Sequence, residues 1–216
     1  MTTSASSRPR GPYARTAERR RSIARAVLDI VVEKGYGNVT TAEVAQRVGS
    51  SEATVLYHYP SKDHLLVAAL EHSDTEDSEQ RLSGDVPSDF SLEELRGFAR
   101  TTPRRESIMR LYSALAGEAT TPGHPAQEYF AQRYNTTVTW FAALVERRQA
   151  AGLAHPGLDS VETGRQIVAT WDGLQTQWLV DPSFDLGDLL VSAFRRLSGQ
   201  NWMEARNRIL DPETGL

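Results

Sequence analysis

Residues 40–63 read TTAEVAQRVGSSEATVLYHYPSKD, and this stretch decides the fold of the N-terminal part of the chain. Thr40 with Glu43 three residues later is a capping-box pattern that predicts a helix start, and Gly49 predicts the end of that helix. Ser50 is then expected to cap a second short helix. Two short helices joined by a tight turn predict a helix-turn-helix, whose second helix enters the major groove of DNA.

Helical patterns continue on both sides of this stretch. Upstream, Thr16 is expected to cap a helix that runs to about Lys34, because its apolar residues recur at spacings of three and four. Downstream, Ser61 is expected to cap a helix that runs to about Glu79. Further helices are predicted at about 92–100, 103–118, 125–151, 160–180 and 186–198, with a loop at 83–90. No segment alternates with period two, so we expect an all-α fold of about nine helices.

Composition indicates a soluble globular protein. The 216 residues are 39% hydrophobic and 24% charged, and no cysteine is present. Disulfides, thiolate metal sites and cysteine nucleophiles are therefore excluded. No apolar run is long enough for a transmembrane helix, and residues 1–12 lack the apolar core of a secretory signal. We expect a cytoplasmic protein without membrane contact.

Charge is distributed unevenly along the chain. The net charge of the whole chain is −4. Residues 1–63 carry ten Lys and Arg against six Asp and Glu, a net of +4, so the remainder carries −8. A basic first third on an acidic body indicates that the N-terminal part meets phosphate. Residues 1–12 are expected to form a flexible basic tail.

Each position around the predicted turn suits a role at DNA. Hydroxyls and backbone N–H groups at helix starts can hold phosphate oxygens, which applies to Thr41, Ser50 and Ser51. The first turn of the reading helix reaches base edges, which applies to Glu52, Ala53 and Thr54. Contacts to the flanking backbone are expected from Tyr57, His58 and Lys62.

This stretch resembles the DNA-binding segment of the TetR family of transcriptional regulators. The resemblance rests on residue types in a fixed order at Thr41, Val44, Ala45, Gly49, Ser51, Ala53, Thr54, Val55, His58, Tyr59, Ser61, Lys62, Asp63 and Leu65. With the first helix it covers about a quarter of the chain. It implies a helix-turn-helix domain at 13–63 and a helical ligand-binding and dimerisation domain at 64–216.

Two residues depart from the family pattern. Leu56 stands where the family usually has an aromatic residue that often contacts phosphate, so that contact is either lost or moved to Tyr57. Ser50 replaces the usual apolar residue of the turn. A competing interpretation is that 40–63 is a helical corner with satisfied caps and a packed Tyr-His-Tyr cluster.

The resemblance implies a small-molecule pocket between the central helices of the body. A mostly apolar cavity with a few polar anchors suits a lipophilic ligand. Candidate lining residues are Phe98, Met109, Tyr112, Phe130, Tyr134, Trp140, Phe141 and Trp171, with Arg133, Asp172 and Gln175 as polar anchors. Ordinary core packing is the alternative for each of them. Tyr134 and Trp171 are favoured, because a buried Tyr or Trp needs a polar partner.

The resemblance also implies a homodimer formed through the last two long helices. The segment 186–198 carries an apolar stripe, and the preceding helix carries Val161, Val168, Trp171, Leu174, Gln175 and Trp178. Two such helices and their symmetry mates can form a four-helix interface. Core packing accounts for most of these residues.

Sequence motifs of enzymes are absent. No Gly-rich phosphate loop, Gly-x-Ser-x-Gly or His-Glu-x-x-His pattern occurs, and the five histidines show no metal-ligand spacing beyond His64 and His72. We expect no catalysis, no cofactor and no metal.

The leading interpretation is a repressor that binds a palindromic double-stranded operator as a homodimer and leaves it when a small-molecule effector binds. An activator of the same family, or a helical ligand-binding or adaptor protein without DNA binding, is the alternative.

Overall fold

The computed structural model describes residues 12–76, 85–88, 90–100 and 102–210. It divides the chain into two compact units, Met1–Glu76 and Asp77–Leu216. The described residues form ten α-helices and one short 3-10 turn at Tyr36–Asn38, joined by turns and loops, and they contain no strand. The predicted all-α fold is confirmed. No described helix has the length and apolar character needed to cross a membrane.

Four helices form the first unit: α1 (Pro12–Lys34), α2 (Thr41–Arg47), α3 (Glu52–His58) and α4 (Lys62–Glu76). Helix α1 packs against α2 and α4, and α2 packs against α3. Fully buried aliphatic side chains from all four helices fill the space between them, including Ile23, Val27, Ile30, Val44, Val55 and Leu65. This shared core fixes the angle between α2 and α3 that a helix-turn-helix requires.

Local capping differs from the sequence prediction at three places. Helix α1 begins at Pro12 and not at Thr16, since proline suits the first turn of a helix. The N-cap of α3 is Ser51 and not Ser50. Thr40 caps α2 as expected, but the Glu43 carboxylate does not complete the capping box, because it binds Lys34 and Arg47.

The turn geometry explains why Ser50 does not cap α3. Gly49 has a φ of 61°, the left-handed conformation that ends a helix. The Ser50 N–H then reaches back to the Ala45 carbonyl at 2.9 Å, as in a Schellman motif. Ser50 therefore completes the end of α2, and the cap of α3 moves one residue on.

Six helices form the second unit: α5 (Leu92–Phe98), α6 (Pro103–Glu118), α7 (Ala126–Ala150), α8 (Ser160–Val180), α9 (Leu186–Leu197) and α10 (Gln200–Leu210). The two longest, α7 and α8, pack closely. A Cβ on Gly164 would lie 2.8 Å from the Val138 carbonyl oxygen and 3.1 Å from the Ala142 nitrogen. Gly164 thus lets the two backbones approach at this point.

Helix starts in this unit follow the predicted caps closely. Ser91 and Glu94 form both bonds of a capping box at α5. The Asp159 side chain accepts from the Glu162 N–H at 2.7 Å and caps α8. Such caps act over three residues and are therefore visible in sequence alone.

Helix α10 was not predicted. It follows Gly199, whose φ of 69° ends α9, and only Gln200 and Met203 of α10 are buried. The preceding turn is held from elsewhere in the unit, since the His155 N–H donates to the Ser198 carbonyl at 2.9 Å and Arg148 Nη2 donates to Gln200 Oε1 at 2.7 Å. The residues joined by these contacts are far apart in the sequence, so no local pattern predicts α10.

Some sequence expectations lie outside the described residues, namely the basic tail up to residue 11, the end of the fourth helix beyond residue 76, and positions 83, 84 and 89 of the predicted loop. The domain boundary expected after residue 63 differs from the division into compact units at Glu76. Helix α4 packs on α1 and so belongs to the first unit.

Candidate DNA-binding and ligand-binding sites

Helix α3 presents an exposed face at the surface of the first unit. Val55 is fully buried and anchors the helix. The side chains on the other side of α3 are exposed, including Glu52, Ala53 and Leu56. Tyr57 is 82% exposed and meets the His58 ring edge-on, with ring centres 5.2 Å apart, so its ring is not buried in a packed Tyr-His-Tyr cluster. An anchored helix with an exposed outer face has the form needed for entry into a groove.

Hydrogen bonds order the side chains at the start of α3. Ser51 Oγ accepts from the Thr54 N–H at 3.2 Å and lies 2.9 Å from the Thr54 hydroxyl. Thr41 Oγ1, at the start of α2, donates to Glu52 Oε2 at 2.7 Å. The structure thus brings the predicted phosphate-contacting Thr41 and the predicted base-contacting Glu52 into direct contact. This bond fixes the direction of the Glu52 carboxylate.

Lys62 lies at the start of α4 and is exposed. Its Nζ donates to the Gly37 carbonyl oxygen at 2.7 Å, across the 3-10 turn that follows α1. The ammonium group therefore sits at a defined position at the surface. Ser50, by contrast, is partly buried in the turn, with its backbone N–H engaged by α2.

Two arginines of α1 hold the turn region and the end of α3. Arg19 Nη1 donates to the Val48 carbonyl at 3.3 Å, and Arg20 Nη1 donates to the His58 carbonyl at 3.1 Å. The Arg20 guanidinium carbon also lies 4.4 Å from the centre of the Tyr59 ring, in a cation–π arrangement. Sequence reasoning missed both residues, because the partners are far apart in the chain.

Electrostatics at the end of α3 favour a neutral imidazole. Burial lowers the pKa of His58, and the positive charges of Arg20 and Arg19 lower it further. His58 can therefore approach a phosphate as a neutral hydrogen-bonding group. Burial also raises the pKa of Tyr59 and keeps its hydroxyl protonated.

A surface network of charges joins α1 to α2. Arg47 donates to Glu33 at 2.6 Å and to Glu43 at 2.8 Å, and Lys34 donates to Glu43 at 2.7 Å. The Arg47 hydrogen bond lowers the pKa of Glu33, and the Lys34 and Arg47 hydrogen bonds lower the pKa of Glu43. The two carboxylates neutralise the charges of Arg47 and Lys34. The remaining positive charge of the first unit therefore lies on its other basic residues.

The predicted ligand-lining residues fall into three places in the second unit. Trp140 is buried in the main core, where it contacts Phe90 and Phe141 edge-on, and Phe98 stacks on the same Phe90. Met109 belongs to a small cluster with Ala99 and Leu186, against which Trp171 also packs. The remaining residues lie together between α6, α7 and α8. These are Tyr112, Phe130, Tyr134, Trp171 and Gln175, with the polar anchors Arg133 and Asp172.

Asp172 is the polar centre of this third group. Tyr112 Oη donates to Asp172 Oδ1 at 3.3 Å. Burial raises the pKa of the Asp172 carboxyl, although the Tyr134 and Tyr112 hydroxyls and the Arg133 charge act against that rise. Burial also raises the pKa of Tyr134 to about 12 and that of Tyr112 further, with the Asp172 charge adding to both. Both phenols remain protonated donors at neutral pH.

A second polar chain lies one helical turn further along α8. Trp171 Nε1 donates to Gln175 Oε1 at 3.2 Å, and Gln175 Nε2 reaches Ser113 Oγ on α6 at 3.5 Å. Gln175 is buried, so these bonds satisfy its amide inside the unit. A surface groove also exists on α8, but it lies at the far end of the helix, lined by Thr176, Gln177, Val180, Asp181 and Phe184.

Comparison with known proteins identifies the family. The model of the bacterial regulatory proteins of the tetR family matches residues 23–69, which contain the second half of α1, all of α2 and α3 and the first half of α4. The uncharacterised HTH-type transcriptional regulator YvdT of Bacillus subtilis is 23% identical over 160 residues, which cover 71% of this chain and 78% of YvdT. The chain belongs to the TetR family. It is a DNA-binding transcriptional regulator of all-α fold.

Two further relatives extend the comparison into the second unit. The HTH-type transcriptional repressor KstR of Mycolicibacterium smegmatis is 32% identical over 127 residues, which cover 53% of this chain and 62% of KstR. A transcriptional regulator from Saccharomonospora viridis, crystallised in complex with choline, superimposes with a TM-score of 0.64 at 23% identity and covers 86% of this chain and 97% of its own. The TetR-family fold therefore extends over both units.

Proposed function

We propose that this TetR-family protein is a ligand-responsive repressor that binds a palindromic operator as a homodimer and leaves it when a small molecule binds the second unit. The observation that carries the proposal is the exposed, capped α3 with its ordered Ser51, Glu52 and Thr54 side chains. The name of KstR, a repressor, and the choline bound to the regulator from Saccharomonospora viridis support the two halves of the proposal. The protein has no catalytic step in this account.

The proposed contacts at DNA follow from where the side chains lie. Thr41, Ser51 and Lys62 are assigned to phosphates, because they sit at helix starts or carry a positive charge. Glu52, Ala53 and Thr54 are assigned to base edges, where a carboxylate can accept from cytosine N4 and a methyl group can touch thymine. Tyr57 and His58 are assigned to the flanking backbone, with Ser50 supporting the turn.

The outward face of α8 and α9 supports the proposed homodimer. From Gln166 to Val180 the exposed positions of α8 carry no charged side chain and several small ones, at Ala169, Gly173 and Thr176. Val180 is 84% exposed and Leu189 of α9 is also exposed. Protein interfaces are depleted of charge at their centre, and small residues let helices approach closely. We assign this face to a second copy of the chain.

Selection of duplexes from a random pool by the purified full chain tests the DNA half of the proposal. We expect enrichment of a pseudo-palindrome whose half-sites lie about one or two helical turns apart, since each half-site meets one α3 of a dimer. Enrichment of an asymmetric site, or of none, would contradict it. The enriched site, placed at a promoter, should repress a reporter; activation would favour the alternative role.

A matched pair of variants tests the dimer. A Cβ at Gly173 on α8, and one at Gly117 on α6, would each meet nothing within 4 Å. Gly173→Glu should therefore fold normally but yield a monomer by sedimentation and lose the selected site. Gly117→Glu makes the same chemical change on an exposed position outside the face and should remain a dimer. A dimer that survives Gly173→Glu would refute the assigned face.

A further inference from the structure

A half-buried carboxylate in the second unit is approached from two neighbouring helices. Asp172 of α8 receives the Tyr112 hydroxyl from α6 at 3.3 Å. The Tyr134 hydroxyl from α7 also stabilises the charged form of this carboxylate. A negative charge in such a place is costly unless it is paired with hydrogen-bond donors or a cation. The three side chains therefore define one acidic point at the meeting of three helices.

A chain of aromatic rings adjoins this acidic point. The rings of Tyr112 and Phe130 have centres 4.9 Å apart, and those of Phe130 and Tyr134 have centres 5.7 Å apart. Phe130 is buried, while the two tyrosines and Trp171 are partly exposed. The faces of such rings carry negative potential and attract cations. The Asp172 carboxylate and the face of an adjoining ring together form an environment that favours positive charge.

The protein already places a cation of its own in this environment. The Arg133 guanidinium carbon lies 5.1 Å from the centre of the Tyr112 ring, and its charge acts favourably on Asp172. Arg133 Nη1 also donates to the Tyr129 hydroxyl, at a long 3.4 Å. Arginine is only partly buried here and ends a flexible side chain, so it can turn outward. Its position marks where a positive group is accommodated.

We infer that this cluster is the effector site and that its ligand is an organic cation, an amine or quaternary ammonium group on an apolar body. The cationic head takes the place of the Arg133 guanidinium on the Tyr112 ring with Asp172 as counter-ion. The apolar body lies against Phe130 and Trp171, and the Gln175 amide is the adjacent polar group. This inference rests on the proposal that the second unit binds a small-molecule effector.

An anionic ligand fits this arrangement less well. Arg133 alone could attract an anion, but the anion would then lie beside the Asp172 carboxylate, and like charges at close range repel. A role limited to holding α6, α7 and α8 together would need Asp172 and the tyrosines but would give no selectivity for added cations. These two alternatives make different predictions for variants at Asp172 and Arg133.

The test is titration of the purified full chain with each probe, and binding is measured by tryptophan fluorescence and by calorimetry. The probes are choline and benzyltrimethylammonium, each with an uncharged partner of similar shape, 3,3-dimethylbutan-1-ol and benzyl alcohol. We expect at least one cation to bind at least tenfold more tightly than its uncharged partner. Equal binding of the members of both pairs, or no saturable binding of either cation, overturns the inference.

Two variants of opposite expected sign complete the test. Asp172→Asn keeps an acceptor for the Tyr112 hydroxyl and should weaken cation binding at least tenfold, with little effect on the uncharged probes. Arg133→Gln removes the internal competitor and should tighten cation binding severalfold. Glu118→Gln, an exposed acid at the end of α6, is the matched control and should bind as the original chain does. A thermal melt of each variant reports folding.

The outcomes separate this inference from the proposed function. Weaker cation binding by Arg133→Gln would indicate that Arg133 holds the ligand, and would overturn the inference. A chain that binds its operator but no cation refutes the ligand class and leaves the regulator intact. A chain that binds cations through Asp172 but is not released from its operator by them refutes the effector role alone.

Discussion

The proposed DNA-binding face and the aromatic cluster around Asp172 are built in different ways. On the DNA-binding face, defined by Thr41, Ser51–Thr54, Tyr57, His58 and Lys62, the key bonds between predicted site residues join positions three to eleven residues apart. In the aromatic cluster, Tyr112 and Asp172 are separated by 60 residues. A short-range site is specified by its own segment, whereas a long-range site depends on how helices pack. The two regions should therefore fail separately and for different reasons.

The largest expected effect is loss of DNA binding through one exposed residue of α3. Ala53 is exposed, so Ala53→Glu should leave folding and cation binding unchanged. In the proposed complex a carboxylate at that position would face phosphates and base edges, where repulsion costs several kcal/mol. We expect operator affinity to fall at least about 100-fold by fluorescence anisotropy. A variant that loses cation binding as well would contradict the separation of the two regions.

The next effect concerns the packing on which the aromatic cluster depends. Gly164→Ala puts a Cβ 2.8 Å from the Val138 carbonyl oxygen, so α7 and α8 must move apart. Chemical denaturation should show a loss of roughly 1–3 kcal/mol in the free energy of unfolding. Cation binding should weaken, whereas the packing of α2 against α3 in the first unit should not change.

Gly117→Ala is the control on α6, at an exposed position outside the assigned dimer face, where a Cβ meets nothing within 4 Å. This change should leave the free energy of unfolding unchanged or raise it by up to about 1 kcal/mol, because alanine favours helix over glycine. Equal destabilisation by both substitutions would show that helix propensity, and not the close approach of α7, sets the effect.

A smaller, pH-dependent effect is expected from Asp172. Burial raises the pKa of this carboxyl, so the folded state binds its proton more tightly than the unfolded chain does. Its contribution to stability is therefore most favourable at low pH, and it declines as pH rises from the unfolded pKa of about 3.9 through the raised folded pKa. Asp172→Asn is neutral at every pH. Its stability relative to the original chain should increase over that interval and level off above it; a flat difference would contradict the burial argument.

The smallest expected effect is at Lys62. Lys62→Ala should weaken binding to every duplex about equally and reduce the slope of log affinity against log salt by roughly one, because one phosphate contact is lost. Lys62→Arg keeps the charge and should keep the slope. A change in base preference would mean that Lys62 acts through its bond to the Gly37 carbonyl and the position of the 3-10 turn.

Features set by residues close together in the sequence could be predicted, whereas features set by residues far apart could not. The sequence predicted the helix-turn-helix, the caps at Ser91 and Asp159 and the family, because each depends on residues a few positions apart. The prediction that Ser50 caps α3 is wrong, since either of two adjacent serines could serve and only the bond from the Ser50 N–H to the Ala45 carbonyl decides between them. Helix α10 was missed because its start is fixed by Ser198, Gln200 and their distant partners.

The same distinction explains why the candidate ligand-binding residues lie in different parts of the second unit. Composition pointed to aromatic residues of the body, but it could not tell that Trp140 and Phe98 surround Phe90 whereas Tyr112 and Tyr134 surround Asp172. Which aromatic residue meets which partner is a property of helix packing. The roles of Arg19 and Arg20 in supporting α3 were hidden for the same reason.

Whether this chain reads a DNA sequence is decided by its binding to the selected operator and to a scrambled duplex of the same composition across a salt series. The account predicts that affinity for both falls steeply with salt and that the operator stays at least about 1,000-fold tighter. It also predicts that an organic cation releases the operator and that Asp172→Asn resists this release. No DNA binding at about 50 mM salt, or equal affinity for both duplexes, would contradict the account.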